Sequence, residues 1–263
     1  MVARVRLPRF LRRRSEGERT GSMTVIEHLE ELRHRLVVAV AAIAIGAIAG
    51  WFLYPVFLHI VQHPYCGYVN ALPKAEQPPA GCRFVANGVL DPMLSKLKIV
   101  LYLGLFVALP VVLYQLWAFI VPGLTAREKK YSVPFIVSSV LLFLLGGFVA
   151  IVMLPKGLGF LLGFAGSQVT PLINFTQYVG FVTLLILIFG LSFEFPILLV
   201  FLTMVGVLSS AKLRAWRRWS ILGIAIFAAV ITPSSDPYTM MALMIPMLLF
   251  YEASIIIARM MKR

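Results

Sequence analysis

Four acidic residues stand where a carboxylate is either conspicuous or costly. They are Glu31 in HLEELRHRL (His28–Leu36), Glu128 in LTAREKK (Leu124–Lys130), Glu194 in SFEFP (Ser192–Pro196), and Glu252. A carboxylate can hold a guanidinium, carry a proton or bind a metal, so each has a functional and a bland reading. Glu31 precedes Arg35 by four residues, a spacing that on a helix gives a local ion pair worth about 0.2–0.5 kcal/mol. Glu128 is the only acid beside Arg127, Lys129 and Lys130, where it can simply balance their charge. Presented together on one side of a membrane, Glu31 and Glu128 would suit a dibasic ligand. Glu194 lies inside a long apolar run with Pro196 after it, and an ionised carboxylate at that depth costs several kcal/mol unless paired or hydrated. That makes Glu194 a functional candidate. Glu252, with Arg259 nearby, reads as a structural pair.

Other chemistry is sparse. The sequence contains no HExxH, no GxSxG and no GxxxxGK[ST], so nothing supports a hydrolase or a nucleotide-driven machine. His59 and His63 are four apart but have no obvious third metal ligand. Cys66 and Cys82 are the only cysteines and are separated by 15 residues. A disulfide between them would close a loop worth about 3 kcal/mol in the chain-entropy model, provided that the segment faces an oxidising compartment. The competing readings are two free thiols, or a metal site, which would lack enough additional ligands nearby.

The elements that must position these groups are apolar. The 263 residues are 60% hydrophobic and 13% charged, with mean hydropathy +0.90. A soluble domain cannot hide that much apolar surface. The runs are continuous rather than alternating, which favours helical spans over a β-barrel. Six candidate spans emerge, at about Leu36–Ile60, Ile99–Val121, Val133–Leu154, Phe175–Val207, Trp219–Ile231 and Tyr238–Ala258. The fifth is short of the roughly 20 residues that cross a hydrocarbon core. It requires a locally thinned bilayer or shelter from its neighbours.

With the N-terminus inside, nineteen Lys and Arg residues fall on the inner side and five on the outer. Such a bias in short loops places both termini in the cytoplasm. The net charge of +13 therefore speaks of orientation rather than of nucleic acid. Residues 1–22 read as a disordered basic tail without the apolar region of a secretory signal, and 259–263 as a second basic tail. Pro55, Pro110, Pro134, Pro196 and Pro246, in or beside the spans, are expected to kink their helices and curve the bundle. Thr24 and Glu27 have the form of a capping box, so a helix is expected to start there. Val25, Ile26, Leu29, Leu32 and Leu36 then share one face.

Taken together, HLEELRHRL, LYQLWAFIVPGL (Leu113–Leu124) with the following Glu128, SFEFP and TPSSD (Thr232–Asp236) resemble the signature segments of the TatC family, the polytopic subunit of the twin-arginine protein translocase. The resemblance runs from about Met23 to the end of the sixth span. It implies an all-α membrane domain over 23–258, with six kinked helices, short fifth and sixth spans and both termini cytoplasmic. It also implies a non-enzymatic receptor, in the cytoplasmic membrane of a prokaryote, for the twin-arginine signal peptides of folded export substrates. Transport would be driven by the proton-motive force, without a cofactor. By the same resemblance Glu31 and Glu128 are the acidic signal-peptide residues, with Arg33 and Phe119 in neighbouring motif positions. Glu194 is then an intramembrane contact for single-span TatA- and TatB-type partners, in a complex holding several copies of the chain. Asp236 is an outer-loop functional candidate. Two features depart from the family pattern: Met240 stands where Gln is common, and the loop holding the cysteines is longer than in many relatives.

A proton-coupled small-solute transporter using Glu194 is the alternative from another class. It would require an internal repeat with broken helices meeting at the midplane. No such repeat is evident between the two halves.

Overall fold

The computed structural model describes residues 25–71, 73–74, 77, 81–86, 88–120, 132–164, 173–233 and 236–260. Eight helices occur among them: α1 (Val25–Ala71), α2 (Asp91–Ile120), α3 (Ser132–Gly163), α4 (Phe175–Ser192), α5 (Phe195–Met204), α6 (Ser210–Ala215), α7 (Arg217–Ile231) and α8 (Pro237–Met260). The basic tail over 1–22, Thr24, the Glu128 loop and 261–263 lie outside the described residues. The expected all-helical class holds. Where no water can pair with the backbone, a helix satisfies its own N–H and C=O groups, and these apolar runs are long enough to do so.

Among the described residues, five segments are long and apolar enough to cross a membrane: Ile26–Ala71, Asp91–Phe119, Val133–Gly163, Phe175–Met204 and Pro237–Met260. The chain is thus a multi-pass membrane protein. The expected fifth span is α7, and at 15 residues it covers about 22 Å against a core of roughly 30 Å. It is not sheltered by the described helices either, because only Ile224 and Ala228 are buried in it. The sixth span was expected to be short and is not: α8 has 24 residues, about 36 Å. The expectation of a short span came from the family resemblance; the helix covers the apolar run Tyr238–Ala258 and extends it to Pro237 and Met260.

Helix α1 is a single element of 47 residues, so the polar stretch around Glu31 is the first turns of a span rather than a separate surface helix. Its first described residue is Val25, and the expected cap at Thr24 lies outside the described residues. Its most extensive partner is α2. The two backbones come together at glycines: a Cβ on Gly104 would lie 2.7 Å from the Ala47 nitrogen, and one on Gly46 only 2.4 Å from the Gly104 carbonyl oxygen. Small residues let helices approach this closely, which in lipid is how packing substitutes for the hydrophobic effect.

The fourth apolar run is broken. Helix α4 ends at Ser192, Phe193 caps it, and α5 begins at Phe195 with Pro196 in its first turn. Pro196 lacks the N–H that would have continued the ladder, which accounts for the break. The Ser192 hydroxyl donates back to the Ile188 carbonyl at 2.7 Å. Glu194 therefore sits at a helix junction.

At the end of the bundle remote from Glu31, a small cap joins α1 to α4. Val85 and Asn174 form an isolated parallel bridge, with Val85 N–H donating to the Ile173 carbonyl and Phe175 N–H to the Val85 carbonyl. Tyr65, Phe84, Phe175 and Tyr178 cluster beneath it, with ring centroids 5.0–5.7 Å apart. The buried Tyr178 hydroxyl donates to the Val61 carbonyl at 2.8 Å. That carbonyl is next to the Ile60 carbonyl, which Pro64 leaves without an intrahelical donor. Cys66 and Cys82 face each other here with Cα atoms 4.9 Å apart, well inside disulfide range.

Candidate functional site

The Glu31 site is built where α1 begins and α2 ends. The His28 and Phe119 rings stack with centroids 4.4 Å apart, which fixes the start of α1 against the last turn of α2. Phe119 belongs to a segment the sequence singled out, and the fold brings it to the same place as Glu31.

Glu31 pairs with Arg35, as the i, i+4 spacing allows. The contact is one-sided. Oε1 accepts from Arg35 Nε at 3.0 Å and from Nη2 as well. The third guanidinium nitrogen, Nη1, donates to Gln115 Oε1 on α2 at 3.3 Å. Oε2 of Glu31 is buried from solvent and has no hydrogen-bond partner among the described residues. His28 Nδ1 stands 4.0 Å from Oε2. Arg33 points to the exposed side of the helix. Glu128 lies outside the described residues.

The second site is a cavity of about 740 Å³, lined by α2, α4, α5, α7 and α8. Its wall is apolar, including Trp117, Phe195, Phe201, Ile224 and Phe227, and Glu194 is the one acidic or basic residue among the described residues that line it. Ser139 of α3 hydrogen-bonds the Glu194 carboxyl. The same hydroxyl accepts from Trp117 Nε1 at 3.4 Å. Oε1 of Glu194 is buried without a partner among the described residues. The sequence placed Glu194 within a span; the fold adds that it opens into a concavity rather than into packed side chains.

Asp236 is buried, with 1% of its surface exposed. It caps α8: Oδ1 accepts from Thr239 N–H at 2.8 Å, and the Thr239 hydroxyl donates to Oδ2. Gly157 of α3 leaves room for it, since a Cβ there would stand 3.3 Å from Oδ2. Met240, at the position where Gln is common, is partly buried against the main core.

Glu252 departs from expectation in its partner. Arg217 at the start of α7 donates to it at 2.6 Å, instead of Arg259 on its own helix. Both side chains are more than a third exposed, so the pair contributes little beyond position. Among the described residues no group of three His, Cys, Asp or Glu comes together in a way that could hold a metal ion.

Gln115, Ser139 and Trp117 were not singled out by the sequence reading. Gln115 is the one of the three with a legible signal, as a lone amide within an otherwise apolar run.

The family model described as Sec-independent protein translocase protein (TatC) matches residues 27–246. Similar chains include the Sec-independent protein translocase protein TatC of Frankia casuarinae. It is 41% identical over 251 residues that cover 93% of this chain and 68% of that one. The protein of the same name from Aquifex aeolicus is 34% identical over 244 residues, 92% of this chain and 97% of that one. A solved structure described as the crystal structure of twin arginine translocase receptor TatC superimposes with a TM-score of 0.71 at 34% identity. It covers 88% of this chain and 99% of that one.

Proposed function

The chain belongs to the TatC family of Sec-independent protein translocase proteins, and from that premise we propose that it is the receptor for twin-arginine signal peptides. As a member it is a subunit of a protein translocase: a transport component of the membrane rather than a catalyst.

The single observation that supports the receptor reading is the buried, unpartnered Oε2 of Glu31 beside the stacked His28 and Phe119 rings. A guanidinium is the donor best matched to such an acceptor, because it is planar and weakly hydrated and its N–H groups are directional. Glu128 supplies the second carboxylate, and Arg33 borders the site from the exposed face. An exposed ion pair contributes only about 0–1 kcal/mol. Affinity then requires partial desolvation of both arginines and burial of the signal's apolar region along the bundle.

In this reading α7 completes six spans, both termini are cytoplasmic, and the protein sits in the cytoplasmic membrane of a prokaryote. The charge bias of the loops supports that orientation. Cys66 and Cys82 form a disulfide on the outer side. Glu194, in its apolar cavity, receives the helix of a TatA- or TatB-type partner, several copies assemble, and the proton-motive force drives transport.

Site-specific photo-cross-linking tests this in native membranes. Glu31→Ala or Glu128→Ala should abolish cross-links to a twin-arginine peptide while Glu194→Ala leaves them and instead reduces cross-links to the single-span partner. Peptide cross-links that persist in both Glu31→Ala and Glu128→Ala would sink the receptor site.

A further inference from the structure

We propose that Arg35 and Gln115 are positioning residues that make Glu31 selective for arginine over lysine, by occupying one of its two oxygens. This deepens the proposed receptor reading and rests on it.

The geometry is asymmetric. Arg35 gives Nε and Nη2 to the same oxygen, Oε1, instead of bridging both in the usual fork. What holds it there is Gln115, whose side-chain oxygen accepts from Nη1 at 3.3 Å. Gln115 comes from a different helix, so the restraint crosses the α1–α2 contact. Oε2 is left buried and without a donor among the described residues. A buried acceptor that has lost water and gained nothing is destabilising, and a ligand that donates to it removes that penalty.

The internal arginine also offsets the charge of Glu31. An incoming group therefore meets a near-neutral pair with one directional acceptor, not a bare anion. A bare anion attracts any cation, lysine included. A single desolvated acceptor favours a planar N–H donor that sheds water easily, and an ammonium is more strongly hydrated. The His28 ring, stacked on Phe119 and 4.0 Å from Oε2, walls the acceptor on one side. Selectivity is then set by groups that need not touch the ligand.

Full-length protein in detergent, titrated with fluorescent peptides that differ only in Arg-Arg against Lys-Lys, supplies the test. Arg35→Gln should lower the Arg:Lys affinity ratio by about tenfold, the loss of one charge-assisted hydrogen bond's worth of discrimination. Lys-Lys binding should gain most. Arg35→Lys keeps the charge but loses the planar set of donors that reaches Oε1 and Gln115 together, and carries the same expectation if Arg35→Gln does not fold. Gln115→Leu should weaken Arg-Arg binding, because a released Arg35 can cover Oε2. That effect should vanish in the Arg35→Gln background, since Gln115 acts only through Arg35.

A merely structural role would scale both peptides together and add across the two sites. An unchanged ratio in the Arg35 variants, or additive losses in the double variant, overturns the proposal. Glu31→Gln separates the two levels. If it leaves Arg-Arg binding intact, the receptor site itself fails. If it weakens binding while the ratio elsewhere stays fixed, only the positioning role fails.

Discussion

Glu31 and Asp236 show how little a residue's type says about its task. Both are acids at the ends of helices, and both were candidates for function. Glu31 keeps one oxygen without a donor among the described residues, whereas Asp236 spends both on Thr239. Satisfied in this way, Asp236 is an N-cap that fixes the entry of α8 against Gly157 of α3. Replacing it with Ala should therefore destabilise the protein by about 0.5–2 kcal/mol. Asp236→Asn keeps an acceptor for the Thr239 N–H and should lose less. Thermal unfolding in detergent, followed by far-UV circular dichroism, would read the difference. Equal stability of wild type and Asp236→Ala would refute the capping role. Glu194 shares a property with Glu31, an oxygen buried without a partner among the described residues. Its surroundings differ, being a wide apolar cavity rather than an arginine and an amide.

Among the elements, the loop between α1 and α2 is anchored through its described residues. It is held by the Val85–Asn174 bridge, by Gln62 donating to the Cys82 carbonyl at 3.2 Å, and by the Cys66–Cys82 contact. Phe84 is packed between Tyr65 and Tyr178, so the loop is also an aromatic lid over the ends of α1 and α4. Reduction of the proposed disulfide should lower the unfolding free energy by about 3 kcal/mol, since it restores loop freedom to the unfolded chain. The expected readout is a lower midpoint in a thermal scan with dithiothreitol than without. Thiol labelling of both cysteines in protein never exposed to reductant would show that no disulfide is present. The break between α4 and α5 is the other element-level feature that matters. Pro196 interrupts the helix between the cavity-lining residues Phe195 and Ile197, and Glu194 is presented at that interruption rather than along a smooth helix face.

For the whole molecule the helix lengths are unequal, and the inequality has a consequence. Helix α1 is about 70 Å long while α7 is about 22 Å. Trp219 at 74% exposed and Val230 at 79% stand near the two ends of α7, so its face is turned to the surroundings. If α7 spans, the bilayer must thin beside it or a partner helix must cover it. Purified protein reconstituted in lipids of increasing acyl-chain length should lose stability as the bilayer thickens. Protease protection of the loop between α7 and α8 is a suitable measure. Indifference to thickness would mean that α7 does not set the local mismatch.

Much of this was legible in the residues. Continuous apolar runs of about 20 residues dictate a helical membrane protein, because the backbone has no other way to pair inside lipid. Four short segments pointed to the family, and the i, i+4 spacing of Glu31 and Arg35 gave their ion pair. Local pattern could not say which oxygen Arg35 takes, since that depends on Gln115, 80 residues away and on another helix. Nor could it say that Glu252 reaches Arg217 across α7 and α8, that Asp236 caps rather than protrudes, or that Glu194 faces a cavity. Periodicity sets which residues share a helix face; the rotation of one helix against another sets what that face meets. That rotation is fixed by side chains distant in sequence, such as the contact of Gly46 with Gly104. The sequence by itself determined the class and the candidates, and only the tertiary structure decided which of their atoms are left to bind.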